Sequence, residues 1–434
     1  MNICLVTLNS LNQPGGISTY YTQLTRLLTQ AGHRIFLLTP NQLAGEDDED
    51  QWLESGLLTT VFLKKNYSAE KRKWSPYFRP GGFDAPNWIA KGMATREWLL
   101  SNHKAYQIDI VEVADYGGLG IFLCDNSLPP VIITGHGSLS QFAGLNYSGK
   151  NDSLELITRL EELSFKSADA IITHSQFNKN SLEKWLKKTV RVTSIPWQNM
   201  QNRVCSREPG KLICIGGLQP VKGIYDLLDA MTLLREKAPH IRVTWIGGDT
   251  WLAPAYQQMS VYLQKKYPDT WQHRLIWAGE LDPEKTGREI AAASLVIIPG
   301  TFDTFNYVAL EAASLGKAIL ITDHTGAAEL FTHGKDAWIV PANNPAALAD
   351  AILYLSANPE LCGKLGANAG STIREKLSED RMVSERLAVY SDVIVNRVRK
   401  TQGAGNELDF LNQYRTAARK YYYCLRRFLK KIKG

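Results

Sequence analysis

Residues 211–231 read KLICIGGLQPVKGIYDLLDAM. The apolar run Lys211 to Ile215 predicts a buried strand, Gly216 and Gly217 open a turn, and apolar residues at Ile224, Leu227, Leu228 and Met231 predict a helix just after Lys222. Such a junction can cradle a phosphate group. Glycines let backbone N–H groups approach an anion, and the helix N-terminus adds partial positive charge beside Lys222. No Ser or Thr follows the lysine to hold a magnesium ion, so the segment is not a P-loop. By itself it fits a plain strand–turn–helix junction with a solvated lysine equally well.

The same alternation continues on the C-terminal side. Apolar runs at Arg242–Ile246, Arg274–Trp277, Leu295–Ile298, Ala318–Thr322 and Trp338–Val340 are separated by helical segments, and helices follow near Pro345–Ser356 and Ser378–Arg399. On the N-terminal side, Asn2–Leu8 is an apolar strand and Asn12–Gly16 a glycine-containing turn. A helix follows through Ile17, Tyr20, Leu24, Leu27, Leu28 and Ala31, then a strand over His33–Thr39. Further runs at Ile108–Val113, Val131–Thr134 and Ala170–Thr173 continue that unit. The fold class is therefore α/β, with two doubly wound parallel-sheet domains facing a central cleft. The expected division is an N-terminal domain over 1–195, a linker over 196–210, and a second domain over 211–400 that ends in a crossing helix. Residues 43–98 combine aromatics and Pro-Gly clusters without a clear period, and are read as an insertion in the first domain.

A chain of 434 residues with 44% hydrophobic and 21% charged residues is an ordinary globular composition, which excludes disordered, collagenous and disulfide-scaffold classes. Cys4, Cys124, Cys205, Cys214, Cys362 and Cys424 form no C-x-x-C pair, which fits a reduced interior. No export signal and no apolar run long enough to span a bilayer is present, so the expected location is cytoplasmic. The formal charge is +6, yet residues 412–434 hold eight Lys or Arg and no acid. The basicity is local and argues against a nucleic-acid partner. On a helical wheel, the 406–434 tail gathers Leu411, Tyr414, Ala418, Tyr421, Tyr422, Leu425, Phe428, Leu429 and Ile432 on one arc, with all the basic residues opposite. That pattern suits peripheral binding to the anionic inner face of a membrane, or docking on the protein's own N-terminal domain or on another subunit.

A second constellation lies at residues 295–330, LVIIPGTFDTFNYVALEAASLGKAILITDHTGAAEL. A strand delivers the loop Gly300–Asn306, and Glu311 lies one turn into the following helix, eight residues after Asp303. A carboxylate among Leu310 and Leu315 must be solvated or hydrogen-bonded to a polar ligand, because burying it unpaired costs too much. Sugar hydroxyls are suitable donors, although an exposed helix residue would show the same spacing.

These motifs together resemble glycosyltransferase family 4, whose members have the GT-B fold and transfer sugars with retained configuration. The resemblance covers most of residues 1–395. Pro14-Gly15-Gly16 matches the family's N-terminal loop, Gly216 to Gly223 its G-R-L-x-x-x-K-G element, Asp303 to Glu311 its E-x7-E element, and Ala312–Lys317 with Gly326–Glu329 the stretch beyond. It implies a nucleotide-diphosphate sugar donor, with a UDP- or GDP-sugar expected, and a hydroxyl acceptor on a glycan or lipid-linked molecule. Lys222 would bind the leaving diphosphate, Glu311 the ribose hydroxyls, and Asp303 a donor-sugar hydroxyl with the backbone of Thr304, Phe305 and Asn306. Gly15, Gly16, Gly216 and Gly217 would approach the donor, and His136 in ITGHGS would contact its sugar. His174 in THSQF is read as structural, before a helix capped by Ser175. No cofactor or metal is implied, and Asp48-Glu49-Asp50 reads as a solvated acidic run rather than a manganese site.

Two departures stand in the donor elements. Gly217 replaces the family's arginine, and Asp303 is one methylene shorter than its glutamate. They keep open a noncatalytic sugar-nucleotide-binding protein, and the two-domain architecture also admits a nucleotide-sugar epimerase or hydrolase.

Overall fold

The computed structural model describes residues 1–7, 11, 15–39, 51–74, 85–146, 152–198, 208–254, 257–398 and 411. The N-terminal sheet is built from β1 (Asn2–Val6), β2 (Arg34–Thr39), β3 (Gln51–Ser55), β4 (Leu58–Phe62), β5 (Ile110–Ala114), β6 (Val131–Thr134), β7 (Ala170–Thr173) and β8 (Arg191–Val192). Their order is β3-β4-β2-β1-β5-β6-β7-β8, parallel throughout except for the β3–β4 hairpin. Its helices are α1 (Gly16–Gln30), α2 (Lys64–Trp74), α3 (Ala85–Asn102), α4 (Leu139–Asn146), α5 (Asp152–Ser167) and α6 (Gln176–Leu186). Residues 43–98, read above as aperiodic, thus supply two strands and most of two helices. The β3–β4 hairpin escaped notice because β4 is threonine-rich and alternates only weakly, while α2 is dominated by Lys and Arg.

The second sheet holds β9 (Leu212–Ile215), β10 (Val243–Ile246), β11 (Leu275–Trp277), β12 (Leu295–Ile298), β13 (Ala318–Thr322) and β14 (Trp338–Val340), in the order β11-β10-β9-β12-β13-β14. Helices α7 (Ile224–Lys237), α8 (Met259–Lys266), α9 (Pro283–Ala292), α10 (Tyr307–Ser314), α11 (Pro345–Ser356) and α12 (Pro359–Lys376) surround it. Strand order reverses between β9 and β12, and in such sheets the crevice at that switch point, beyond the carboxyl ends of the strands, receives ligands. The N-terminal sheet reverses in the same way at β1 and β5.

The last helix, α13 (Glu379–Val395), returns to the N-terminal domain. Met382, Val389, Tyr390 and Val393 join the hydrophobic core that contains β1, β5 and α1. Arg386 is fully enclosed and donates to Glu112 Oε2 on β5 at 2.8 Å; Tyr20 Oη (2.6 Å), Tyr390 Oη (2.5 Å) and Thr134 Oγ1 (2.8 Å) also donate to that carboxylate. Burial pushes the Glu112 carboxyl up, but the guanidinium and three hydroxyls outweigh it and hold the carboxyl below its ordinary range.

Candidate active site

At the end of β9 the backbone turns through Gly216 (φ 155°) and reaches Lys222 in a short 3-10 turn, Pro220–Lys222. Gly223 then enters α7 with φ 79°, and a Cβ there would lie 1.8 Å from Pro299 O, so only glycine lets this turn pack against the end of β12. Trp245 Nε1 donates to Gly216 O at 2.7 Å, bracing the turn from the next strand. Lys222 Nζ reaches Asp303 Oδ2 at 2.6 Å, with the lysine side chain 33% exposed and the aspartate 10%. Asn306 Nδ2 donates to the same oxygen at 2.9 Å, and Phe305 N–H to Oδ1 at 3.3 Å. Burial raises the Asp303 pKa, but Lys222 and these donors outweigh burial and hold the carboxyl below the usual carboxylate range. Lys222 and Asp303, 81 residues apart, therefore form one ionised pair at the switch point.

Asn306 also caps α10: its Oδ1 accepts from Ala309 N–H at 3.2 Å while its backbone sits at φ 103°. This positive φ is the local strain that turns the loop back over Asp303. Glu311, one turn further, stands apart from the Lys222–Asp303 pair. Burial of its carboxyl pushes the pKa up to about 7, and no described side chain donates to it. Gly217 has ordinary van der Waals space around it, Gln219 Nε2 lying 3.4 Å from a notional Cβ, so a side chain at this position meets no backbone obstacle.

Across the cleft, Thr304 Oγ1 donates to His136 O at 2.7 Å, and Ser175 Oγ donates to Thr304 O at 2.7 Å. Glu329 accepts from Gln176 and Phe177 N–H at the start of α6, at 2.7 and 2.5 Å, and Asn146 Oδ1 accepts from Val221 N–H at 3.0 Å. The loop after β12 is thereby tied to the N-terminal domain. Ser175 caps α6 as expected, accepting from Asn178 N–H at 3.1 Å.

The His136 ring packs edge-on to Tyr20 with centroids 4.3 Å apart, and its Nε2 is enclosed with no partner among the described residues. Burial, with a further push from Arg386, lowers its pKa to about 3, so the ring is neutral. His174 is also buried and neutral, its Nδ1 against Thr193 O at 3.1 Å. Gly15 takes φ 135° at the start of α1 with open space where a Cβ would stand, and Gly16 is equally open. Asp48-Glu49-Asp50, Cys205, Cys424 and nearly all of the 406–434 tail lie outside the described residues. Leu411 is buried in the core shared with the N-terminal domain.

Sequence reasoning did not find the Glu112–Arg386 pair, whose members are 274 residues apart and sit in unremarkable strand and helix patterns. Nor did it find that Lys222 and Asp303 pair with each other rather than standing as independent ligands. Trp245 gave no signal beyond its place in an apolar strand.

Comparisons with known proteins agree with this fold. Residues 14–196 match the model of Glycosyltransferase Family 4, and residues 209–358 that of Glycosyl transferases group 1. A D-inositol 3-phosphate glycosyltransferase of Streptomyces bingchenggensis is 27% identical over 200 residues, 43% of this chain and 42% of the relative. The chain spans half or less of the length of the first curated relatives it matches. Among solved structures, sucrose-phosphate synthase from Thermosynechococcus elongatus superposes with a TM-score of 0.69 at 18% identity, covering 91% of this chain and 99% of that one. Anabaena HepE in complex with UDP gives 0.57 at 13% identity, covering 90% and 100%. With a family 4 match over residues 14–196 and a group 1 match over 209–358, the chain belongs to the glycosyltransferases of the GT-B fold.

Proposed function

We propose that the protein transfers a sugar from a nucleotide-diphosphate donor to a hydroxyl acceptor with retained anomeric configuration. The observation that carries this reading is the Lys222–Asp303 pair at the switch point of the C-terminal sheet, beside a glycine turn and beneath a loop tied to the other domain. When the sugar–phosphate bond breaks, negative charge grows on the departing diphosphate. Lys222 and the N–H groups after Gly216 meet that charge, and such preorganised donors stabilise a transition state more than a ground state. As the phosphate takes over Lys222, Asp303 is released to accept a donor-sugar hydroxyl. Glu311 accepts the ribose hydroxyls, and neutral His136 offers a ring nitrogen to the sugar as a hydrogen-bonding group rather than a charge. HepE, a structural neighbour, holds UDP, which makes a UDP-sugar the first donor to try.

Calorimetry with UDP, GDP and ADP, followed by NMR of the product's anomeric proton in EDTA, tests the reading. Micromolar binding of one diphosphate and a retained anomer support it; an inverted product or strict manganese dependence overturns it. A noncatalytic sugar-nucleotide-binding protein is the second reading, favoured by Gly217 in place of arginine, and would show nucleotide binding without turnover of the bound sugar. For the basic tail, salt-sensitive sedimentation with anionic vesicles that is lost on truncation after Gly405 supports a membrane partner, whereas unfolding on truncation supports docking through Leu411.

A further inference from the structure

Half-buried aromatic rings line the cleft end of the N-terminal domain, beside the loop that carries Asp303. Trp88 lies near the start of α3, Tyr116 just after β5, and Phe142 in α4. Trp88 and Tyr116 meet edge-on with centroids 5.2 Å apart; Tyr116 and Phe142 lie 6.4 Å apart with planes 24° from parallel. At one end the strip packs tightly on the backbone, and at the other it comes within ordinary reach of it. A Cβ on Gly117 would stand 2.1 Å from the Trp88 ring, and one on Gly137 would stand 3.5 Å from Phe142 and 3.4 Å from Thr304 Cγ2. Asp115 ties the middle together, its Oδ2 accepting from Gly137 N–H at 3.1 Å. The rings therefore lead towards Thr304, which flanks Gly137 together with Phe142 and whose neighbour Asp303 pairs with Lys222.

We infer that Tyr116 and Phe142, with Trp88 behind them, form the acceptor subsite, and that the acceptor group seated there is a pyranose ring. The inference rests on the transferase reading and names its acceptor class. Aromatic rings carry a negative face, and the polarised axial C–H bonds on one side of a pyranose complement it, while the sugar's hydroxyls stay at the rim for water and protein donors. An acyclic hydroxy acid presents no such face. The neighbourhood of Phe142 and Thr304 at Gly137 puts the seated sugar next to the donor loop, where its hydroxyl meets the anomeric carbon.

Saturation-transfer NMR on the full chain tests the inference, with methyl glycosides of glucose, galactose, mannose and N-acetylglucosamine as probes and malate as the acyclic comparison. Expected is transfer to the axial protons of at least one glycoside, at least fivefold weaker in Phe142→Ala and Tyr116→Leu and restored in Phe142→Tyr. UDP affinity, measured separately, should stay within twofold in all three. Glycoside signals equal in parent and Phe142→Ala overturn the inference, as does transfer to malate alone. Phe142→Leu, which keeps apolar volume but removes the ring, serves if the alanine variant does not fold. Glycosides are also titrated without nucleotide, so failure of UDP to bind overturns the transferase reading while the ring contact is still read directly.

Discussion

At the ends of β9 and β12 the charges are formal and within reach of a ligand, Lys222 being a third exposed beside an ionised Asp303, whereas at the ends of β5 and β6 burial lifts the Asp115 pKa to about 8 and keeps the His136 ring neutral. Both sheets are doubly wound and reverse strand order at the same kind of crevice, so topology alone does not distinguish them. The difference comes from what each domain packs over its switch point. The C-terminal domain leaves a glycine turn open there, while the N-terminal domain receives α13, whose Arg386 is fully used in neutralising Glu112. On the proposed reading, electrostatic recognition of a diphosphate falls to the C-terminal side and ring contacts to a sugar fall to the other.

The largest expected effect breaks the N-terminal half of this contrast. Arg386→Met strands the Glu112 carboxylate without its cation in a dry core, which costs about 3–5 kcal/mol of stability. Urea unfolding at neutral pH measures it, and unchanged stability would show that α13 does not hold the domain as described. Next, Lys222→Ala removes the cation facing the leaving group and should lower turnover on the order of 100-fold, about 2.7 kcal/mol of barrier. Steady-state rates with an identified donor decide this, and parent-like turnover refutes the role.

A smaller effect sharpens the charge assignment at Glu311. With a pKa raised to about 7 by burial, its carboxyl is largely protonated at pH 6 and largely ionised at pH 8, and only the ionised form gives a charge-assisted acceptor to ribose hydroxyls. UDP should bind more tightly at pH 8 than at pH 6, by up to about tenfold over what the same titration shows for Glu311→Gln. Parallel pH curves for the two proteins would exclude the contact. The smallest effect concerns Gly217→Arg. A Cβ there meets only ordinary contacts, and a second cation near the diphosphate should improve UDP affinity roughly threefold, within the range of a partly exposed ion pair. Weaker binding by calorimetry would mean that the turn is tuned to glycine.

Most of the second domain could be read from sequence because its strands are buried on both faces and appear as unbroken apolar runs; LVII at 295–298 and AILIT at 318–322 fall where expected. The first strand stops at Val6, earlier than the apolar run to Leu8 suggests, because side-chain pattern does not mark where ladder pairing ends. The β3–β4 hairpin was missed for the opposite reason, its pairing being clear in the structure but weakly patterned in the chain. The segment 216–223 stood out because its glycines and lysine lie at the short local spacing that a phosphate-binding turn would need, and 303–311 because two carboxylates lie eight residues apart.

What the sequence determined by itself was therefore the kind of fold and the residue types at the strand ends, since periodicity and turn chemistry act over a few residues. Tertiary structure alone decided which of those residues meet: that Lys222 pairs with Asp303, that Thr304 reaches the His136 carbonyl, and that Arg386 travels back to Glu112. It also decided protonation. The same histidine or carboxylate in an open loop would titrate near its ordinary value, and His136 is neutral and Glu311 poised near 7 because burial withdraws water from each.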